Sequence, residues 1–441
     1  MAKQNLGDSV LWLRGIGNAL AFVALLSCCG TGGSSAPGAL PAPTPEPGSG
    51  AALPNIVVIM GDDIGWPDYG FQGSPALTPT IDRLAAEGTV FQQMHLSASV
   101  CQPTHRHLLT GRHPMKPWSR ATDPTLPEML RDAGYRTWQA GKLWERTAEA
   151  WGFAESAGDE EGGIGNQTGT VNWGRTGWDV EACGQAKREE NCPATASWRR
   201  FLQSRTESSA PFFALLTPEL PHSPVNPPQE YVDLYPGMED TVQNYYAMLT
   251  WLDTLLGAVL TDLDRLTFGR ETIILYFADN GWKASGGTFQ GLQPEEVGSK
   301  SSLHELGFRS PAIVHGATIP AGVQRNDLVS LDDLVATILG YAHATPLAGT
   351  GIDLSEYIQS GAPSPRTEIV TWFRNLRGRI DGYIVRTDDW RYIREESNGT
   401  QMLYAIPEDP FEENNRIDSA DPKEVARFED LIEAWEASLQ Q

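Results

Sequence analysis

The sequence predicts an α/β fold with a large, mostly parallel, doubly wound sheet flanked by helices. A smaller C-terminal subdomain, an antiparallel sheet plus one helix, follows it. The first observation is that apolar runs suited to buried strands alternate with segments of helical spacing between residues 53 and 365. The second is that four short strand-like runs, joined by turns and followed by one helix, occupy residues 366–441. We therefore predict one large domain over 53–365 and a small-sheet subdomain over 366–441.

The individual elements are predicted in chain order from their apolar spacing and their breakers. The first strand is the continuous apolar run from Ile56 to Met60, and the first helix runs from Thr80 to Gly88. The later predicted elements of the large domain are "CQPTHRHLLT", "TLPEMLRDAGY", "RTWQAGK", "PFFALLT", "VQNYYAMLTWLDTLLGAVLTDLD", "ETIILYFA", "SPAIVH" and "LDDLVATILGY". Those of the subdomain are "TEIVTWF", "DGYIVRT", "WRYIREE", "QMLYAI" and "PKEVARFEDLIEAWEASL".

The N-terminal residues are predicted to be a targeting segment and a tether. Residues 1–29 contain two basic residues and then an apolar run too short to span a membrane comfortably, as in a secretory signal. The run ends in "LLSCCG", which resembles a bacterial lipoprotein cleavage box, so lipid on Cys28 or Cys29 and an ordinary signal peptide both remain open. Residues 30–52 form a Pro/Gly/Ser-rich linker. We expect an exported bacterial protein, either periplasmic or anchored to the outer membrane as a lipoprotein.

The composition excludes some partners. The chain has 441 residues and a formal net charge of -23. General nucleic-acid binding needs a basic face, so no nucleic-acid partner is expected. A small anionic substrate remains possible, because a few local cations or a metal ion can outweigh the mean field.

The segment from Glu155 to Ala196 is polar and is predicted to be an irregular lobe over one face. Cys183 and Cys192 lie close together in it, and in an exported chain they most simply form a disulfide. Trp173 and Trp178 also lie there, where loops usually carry specificity. Their aromatic faces suit sugar rings, although core packing is the usual role of a tryptophan.

Acidic residues follow two of the predicted strands. Asp62 and Asp63 come directly after the first strand, and Asp279 and Asn280 follow the strand "ETIILYF". Ligands of doubly wound sheets bind beyond the carboxyl ends of the strands, where these side chains are expected to meet. Carboxylate and amide oxygens suit Ca²⁺ or Mg²⁺ better than zinc. The sequence therefore predicts a divalent-metal site.

Cys101 is predicted to lie at or just before the N-terminus of a helix. Pro103 suits the start of that helix and Gly111 suits its end. Backbone N–H groups and the helix dipole favour an anion at such a position. A buried, inert cysteine is the common alternative, but it explains neither the helix start nor the acidic residues.

Together these motifs resemble the type I sulfatases of the alkaline phosphatase superfamily. "MGDDIGWPDYG" is similar to their opening metal motif, and "CQPTHRHLLTGR" resembles their C-x-P-S/T-R-x-x-L-x-T-G signature. The later motifs follow in the family's order over residues 54–322 and are "AGKLWE", "LPHSPVNPP" and "ADNGW…GSKSSLHELGFRSP".

The resemblance implies sulfate ester hydrolysis by residues 53–365, with sulfated carbohydrate as the expected substrate. In the family a maturation enzyme oxidises the signature cysteine to formylglycine, whose hydrate attacks sulfur with one hydroxyl and expels sulfate with the help of the other. Carried over to this chain, the modified residue is Cys101. Three residues are implied to contact sulfate and assist the leaving group: Lys142, His222 and Lys300. The calcium ligands are implied to be Asp62, Asp63, Asp279, Asn280 and the modified Cys101.

Two positions depart from the family pattern. His105 stands where the signature has arginine, and Arg106 follows it. His105 lies one helical turn after Cys101 on the same face, so it is expected to reach the site as a shorter, titratable donor. Arg106 is rotated about 100° away, and its length is expected to compensate in part. The histidine of the family's lysine motif is also absent after Lys142, where the sequence reads Leu-Trp-Glu.

Because of these departures, two alternatives to a sulfatase stay open. One is a phosphodiester or phosphonate hydrolase of the same superfamily, which would have a similar site. The other is a degenerate, non-catalytic protein that binds sulfated glycans without turnover.

Overall fold

The structure is a computed structural model that describes residues 52–157, 193–206, 208–223, 225–266, 268–282, 299–347, 351–375 and 380–439. Several predictions fall outside these residues: the signal segment, nearly all of the linker, Cys28 or Cys29 as a lipid site, the Cys183–Cys192 disulfide, and the positions of Trp173 and Trp178. Among the described residues, no helix is both long enough and apolar enough to span a membrane.

The large sheet has eight strands in the order β4-β3-β5-β1-β6-β7-β2-β8. Every neighbouring pair is parallel except the two pairs that β7 makes. The predicted mostly parallel sheet is therefore confirmed. The strands are β1 (Asn55–Gly61), β2 (Thr89–His95), β3 (Arg136–Gly141), β4 (Glu155–Ser156), β5 (Phe212–Thr217), β6 (Thr272–Ala278), β7 (Ala312–His315) and β8 (Val323–Ser330).

Helices cover both faces of this sheet, as a doubly wound fold requires. Strand β1 shows why: Val57 and Ile59 enter one hydrophobic cluster, whereas Ile56 and Val58 enter the other. The helices are α1 (Pro79–Glu87), α2 (Cys101–Thr110), α3 (Leu126–Asp132), α4 (Pro193–Arg205), α5 (Gln229–Val232), α6 (Asp240–Arg265), α7 (Glu305–Phe308), α8 (Leu331–Tyr341) and α9 (Ser355–Ser360). Helices α1, α4, α5 and α6 pack on one face, and α2, α3, α8 and α9 pack on the other.

The C-terminal sheet is antiparallel throughout, as predicted. One face packs on the C-terminal helix through Tyr392 and Phe428. The opposite face packs on Leu303 and Phe308, next to the large sheet. The elements are β9 (Glu368–Arg374), β10 (Asp381–Thr387), β11 (Trp390–Glu395), β12 (Gln401–Ala405) and α10 (Pro422–Leu439).

Seven elements of the large domain were not predicted from the sequence: β2, β4, β8, α4, α5, α7 and α9. Strand β8 reads "VQRNDLVS", and its polar residues conceal its pairing with β2. The segment 155–196 is not wholly irregular, since it includes β4 and the first turn of α4. Strand β4 has only two residues, and the buried apolar face of α4 begins at Trp198, beyond the segment.

A buried ionic network joins the C-terminal sheet to the large domain. Glu305 is fully buried, and its carboxylate lies 3.0 Å from the Arg391 guanidinium and 3.1 Å from His95 Nε2. Arg386 Nε lies 3.5 Å from the same carboxylate. Burial alone would raise the pKa of Glu305, but His95 and Arg386 hold that pKa well below its ordinary value. This network fixes the chain segment that begins at Lys300.

We predict that Glu305→Gln lowers the free energy of unfolding by about 3–5 kcal/mol, because the buried Arg386 loses its carboxylate partner and Arg391 keeps only Glu412. Urea denaturation followed by tryptophan fluorescence measures this loss. The matched control is Glu396→Gln, since Glu396 is 42% exposed and pairs with Arg394 at the surface. The control should cost less than about 1 kcal/mol. Equal losses in the two variants would contradict the assignment of the network as a buried support.

Candidate active site

The register of the large sheet places the two acidic strand ends side by side. Gly61 of β1 pairs with Ala278 of β6, so Asp62 and Asp279 are the next residues on adjacent parallel strands. The Asp63 N–H donates to Asp279 Oδ1 at 3.1 Å. The sequence-predicted meeting of these strand ends is present in the structure.

Asp63 adopts a left-handed backbone conformation, with φ at +65°. Few residues other than glycine adopt it, and such strain is found where the surrounding structure enforces it. Here the constraint comes from strand β6: the Asp63 N–H bonds Asp279, and the Ile64 N–H donates to the Asn280 carbonyl at 3.1 Å. The Asn280 side-chain amide adds a third bond, to Asp63 Oδ1 at 2.6 Å.

Three buried oxygen atoms in this cluster accept no hydrogen bond: Asp63 Oδ2, Asp279 Oδ2 and Asn280 Oδ1. Buried acceptors are nearly always paired, so three unpaired ones at two adjacent strand ends are suited to a cation. Oxygen donors of this kind are the ligands of Ca²⁺ and Mg²⁺. The residues present therefore fit a divalent cation.

A second, overlapping group of possible metal ligands includes a sulfur and an imidazole but not Asp279. Asp62, Asp63, Cys101 and His222 each offer one ligand atom, and these atoms all lie within 4.8 Å of one another. His222 was expected to contact the substrate rather than the metal. Its Nδ1 donates to the Ser223 carbonyl at 2.7 Å, which leaves Nε2 facing Asp63 Oδ2 at 3.8 Å.

Cys101 is the first residue of α2, so its side chain is held at a helix N-terminus as predicted. The thiol is buried, and Sγ lies 3.5 Å from Asp62 Oδ1 and 3.1 Å from Lys300 Nζ. Burial, reinforced by the Asp279 carboxylate, raises the pKa of the Cys101 thiol well above its ordinary value despite the nearby lysines. A thiol whose pKa is raised in this way is a poor nucleophile, because the thiolate is the reactive form.

Two buried lysines neutralise the carboxylates. Lys142 Nζ donates to Asp62 Oδ2 at 2.6 Å, and Lys300 Nζ forms a short contact with Asp63 Oδ1. Burial alone would lower the pKa of each lysine, but the adjacent carboxylates hold both values well above the ordinary one. Both ammonium groups therefore stay charged, and the structure brings together the two lysines that the sequence analysis selected.

Backbone pairing holds both of the segments that carry the lysines. Lys142 follows β3, whose last residue, Gly141, pairs with Thr217 of β5. The chain after Lys300 is held by the Ser301 N–H, which donates to the Ser99 carbonyl at 2.9 Å. The positions of both ammonium groups are thus set by backbone pairing.

His105 reaches the site, as its helical spacing predicts. It is buried, and Nε2 lies 3.5 Å from Asp279 Oδ2. Burial, together with the charge of Lys142, lowers the pKa of His105 to about 3. The imidazole is therefore neutral at physiological pH and does not supply the positive charge of an arginine.

Arg106 does not join the carboxylate cluster. Its guanidinium carbon lies 5.9 Å from the centre of the Trp118 ring instead. Trp144 was not among the predicted site residues, although Lys142 Nζ lies 5.2 Å from the centre of its ring. It follows Lys142 in the stretch Leu-Trp-Glu, where the histidine of the family's lysine motif is absent, and this departure could have drawn attention to it.

Comparisons with curated proteins identify the family. Residues 54–344 match the family model described as sulfatase. The chain is 27% identical over 359 residues to arylsulfatase J of Mus musculus. The aligned region covers 74% of this chain and 59% of that protein. It is 25% identical over 420 residues to an ulvan-active sulfatase of Formosa agariphila. That alignment covers 82% of this chain and 77% of that protein.

Solved structures share the fold. The chain matches the crystal structure of Ps i-CgsB in complex with k-i-k-neocarrahexaose with a TM-score of 0.70 and 22% identity, over 88% of this chain and 93% of that one. It matches the phosphonate monoester hydrolase of Agrobacterium radiobacter with a TM-score of 0.62 and 17% identity, over 87% of this chain and 96% of that one. At these identities the likeness shows the fold alone.

The doubly wound sheet, with carboxylates at two strand ends facing a helix that begins at Cys101, places the protein in the alkaline phosphatase superfamily. Within that superfamily, the chain belongs to the sulfatase family of sulfuric ester hydrolases, because the family model covers well over half of its residues. The resemblance drawn from the sequence motifs is confirmed.

We predict that calcium stabilises protein from which metal ions have first been removed with a chelator, because the unpaired oxygen atoms of the cluster gain a partner. At a calcium concentration of 100 times the dissociation constant, the gain is about 2.7 kcal/mol. Thermal denaturation with and without calcium measures it. Asp279→Asn should remove most of the shift while keeping Oδ1 as an acceptor for the Asp63 N–H. Asp264→Asn is the matched control, since Asp264 is 67% exposed. An unchanged shift in Asp279→Asn would count against the metal site.

Proposed function

We propose that the protein hydrolyses sulfate esters of sulfated carbohydrates, using a formylglycine made from Cys101 and one calcium ion. The observation that carries this proposal is the position of the Cys101 side chain. Its Sγ lies within 4 Å of Asp62, Asp63 and Lys300, at the first turn of a helix. A reactive group at this position faces both the carboxylate cluster and the buried ammonium group of Lys300.

The charges of the site favour a sulfate ester. The buried carboxylates of Asp62, Asp63 and Asp279 face the two buried ammonium groups of Lys142 and Lys300. These groups sum to one negative charge, and a divalent cation would convert this to one positive charge. A sulfate monoester carries a single negative charge, so it would neutralise the loaded site.

The residues proposed to hold calcium are Asp62, Asp63, Asp279, Asn280 and the modified Cys101. Bound calcium supplies charge neutralisation of the sulfate group and polarisation of the nucleophile. A hydrated formylglycine supplies one hydroxyl for attack on sulfur and a second for release of the sulfate. An unmodified thiol lacks the second hydroxyl, so it could not release the sulfate in this way.

The remaining residues bind the sulfate and move the proton. Lys142 and Lys300 are oriented by Asp62 and Asp63, and their remaining N–H groups are proposed to donate to the sulfate oxygens. His222 is fixed by its Nδ1 bond to the Ser223 carbonyl, so Nε2 is the nitrogen that faces the cluster. We assign to His222 Nε2 the transfer of a proton to the leaving alcohol oxygen.

His105 is proposed to position the modified residue rather than to carry charge. It is neutral and buried beside Asp279, one turn from Cys101. The family arginine is part of what the maturation enzyme reads, so its absence here bears on conversion first. This is also the observation that keeps the non-catalytic alternative open, namely a protein that binds sulfated glycans without formylglycine.

Carbohydrate is proposed as the substrate class because of the relatives. One is an ulvan-active sulfatase, and others are N-acetylgalactosamine-6-sulfatases. The targeting segment and linker, with Cys28 or Cys29 as a lipid site, fit an enzyme exported to the periplasm or held at the outer membrane. The phosphonate hydrolase alternative shares the fold, so matched aryl sulfate, phosphate and phosphonate esters separate the two activities.

We predict that peptide mapping of the mature protein finds Cys101 converted to formylglycine, in part or completely, because this position faces the whole site. Cys101→Ala should abolish release of sulfate from an aryl sulfate and preserve the thermal transition. The matched control is His343→Ala, remote in sequence from every site motif. Full activity in Cys101→Ala, or mapping that finds only unmodified cysteine in an active preparation, would rule out the formylglycine mechanism.

We predict that His105→Arg raises the converted fraction of Cys101, because it restores the signature read during maturation. Mass mapping of wild type and variant, expressed side by side, measures the two fractions. Arg106→Lys serves as a control that keeps charge and leaves His105 in place. Complete conversion of the wild type, unchanged by His105→Arg, would show that this chain matures without the arginine.

A further inference from the structure

The segment that follows β3 lies beside the start of α2. Lys142 belongs to the carboxylate site, and its Nζ lies 5.2 Å from the centre of the Trp144 ring. Gln102, the residue after Cys101, donates from Nε2 to Glu145 Oε1 at 3.0 Å. The segment thus begins at the proposed sulfate site. Trp144 lies in sequence between Lys142, which contacts Asp62, and Glu145, which contacts Gln102.

Two arginines continue this surface. The guanidinium carbons of Arg106 and Arg146 lie 5.9 Å and 5.6 Å from the centre of the Trp118 ring. Arg146 also lies 5.7 Å from the centre of the Trp151 ring, and neither Arg106 nor Arg146 forms an ion pair with any residue in the part of the chain that the structure describes. Two unpaired guanidinium groups around one ring are unexpected in a chain with a net charge of -23.

The same residues contain buried donors without partners. Trp118 Nε1, Trp144 Nε1 and Arg146 Nε are buried, and none donates a hydrogen bond to a described group. All three atoms can only donate, so their missing partners must be acceptors. Buried unpaired donors cost free energy, so acceptor oxygen atoms of a bound molecule would stabilise these three groups.

We propose that Arg106, Trp118, Trp144 and Arg146 form a subsite for a second oxyanion of the sugar substrate, a sulfate or a carboxylate. We call these four residues the donor cluster. Planar guanidinium groups bind such oxyanions with two parallel hydrogen bonds, and indole rings present apolar faces to sugar rings. The subsite rests on the proposed function, in that the scissile sulfate occupies the neighbouring Cys101 site.

The test compares sugars that differ by one anionic group. Isothermal titration of the calcium-loaded protein measures the affinity for three pairs: glucosamine 6-sulfate and glucosamine 2-N,6-O-disulfate, N-acetylgalactosamine 6-sulfate and its 4,6-disulfate, and N-acetylgalactosamine 6-sulfate and its glucuronate-containing disaccharide. The first two pairs add a sulfate, and the third adds a carboxylate. In at least one pair the ligand with the extra anion should bind about tenfold more tightly to the wild type.

The double variant Arg106→Gln/Arg146→Gln should reduce that preference to about threefold or less, because the charge-assisted bonds are lost. Trp144→Phe keeps a ring, removes one N–H donor and should reduce the preference less. Arg427→Gln, an exposed arginine on α10, is the matched control and should keep the wild-type preference. If the double variant does not fold, Arg146→Lys, which keeps the charge but loses the planar fork, replaces it.

Absence of any preference in the wild type, or a preference that persists in the arginine variants, would overturn the proposal. Release of sulfate from an aryl sulfate by the same preparations separates this failure from failure of the proposed function. Turnover without a preference would leave the sulfatase proposal standing and remove the subsite. A preference that the arginine variants abolish, in a protein that turns over no sulfate ester, would support the subsite and remove the proposed activity.

Discussion

The structure depends on the compensation of three carboxylates that are buried at one edge of the large sheet. Asp62, Asp63 and Asp279 are each at most 2% exposed, and burying uncompensated charges would cost far more free energy than a domain can supply. Lys142 and Lys300 neutralise two of these charges directly. A divalent cation bound to the oxygen atoms that lack donors would neutralise the third. The chemistry that we propose uses this same arrangement of charges.

The rest of the fold holds these groups in place. Parallel pairing of β1 with β6, and of β3 with β5, places the acidic residues and Lys142 at one edge of the sheet. The C-terminal sheet packs on the segment that begins at Lys300 and secures it through the buried Glu305 network. The small sheet is therefore a support of the site rather than an appendage. Its burial against the large domain explains why Arg386 and Arg391 are among the least exposed side chains in the protein.

The sequence was sufficient for the parts of the structure that obey simple periodicity. Asp62 and Asp279 were predicted to meet because each follows an apolar strand, and the helical spacing placed His105 near the nucleophile position. Strand β8 was missed because its polar residues resemble a loop, and only its pairing with β2 makes it a strand. The neutrality of His105 and the orientation of Arg106 toward Trp118 depend on burial and on contacts distant in sequence, which periodicity does not contain.

The central claim is that a converted Cys101, held against the carboxylate cluster, performs the hydrolysis of a sulfate ester. The most direct test is the rate of sulfate release per mole of protein, measured across preparations in which the converted fraction of Cys101 differs. Co-expression with increasing amounts of a formylglycine-generating enzyme varies this fraction, and mass mapping determines it. The account predicts a rate proportional to the converted fraction and zero for unconverted protein. A rate that does not change with conversion would contradict it.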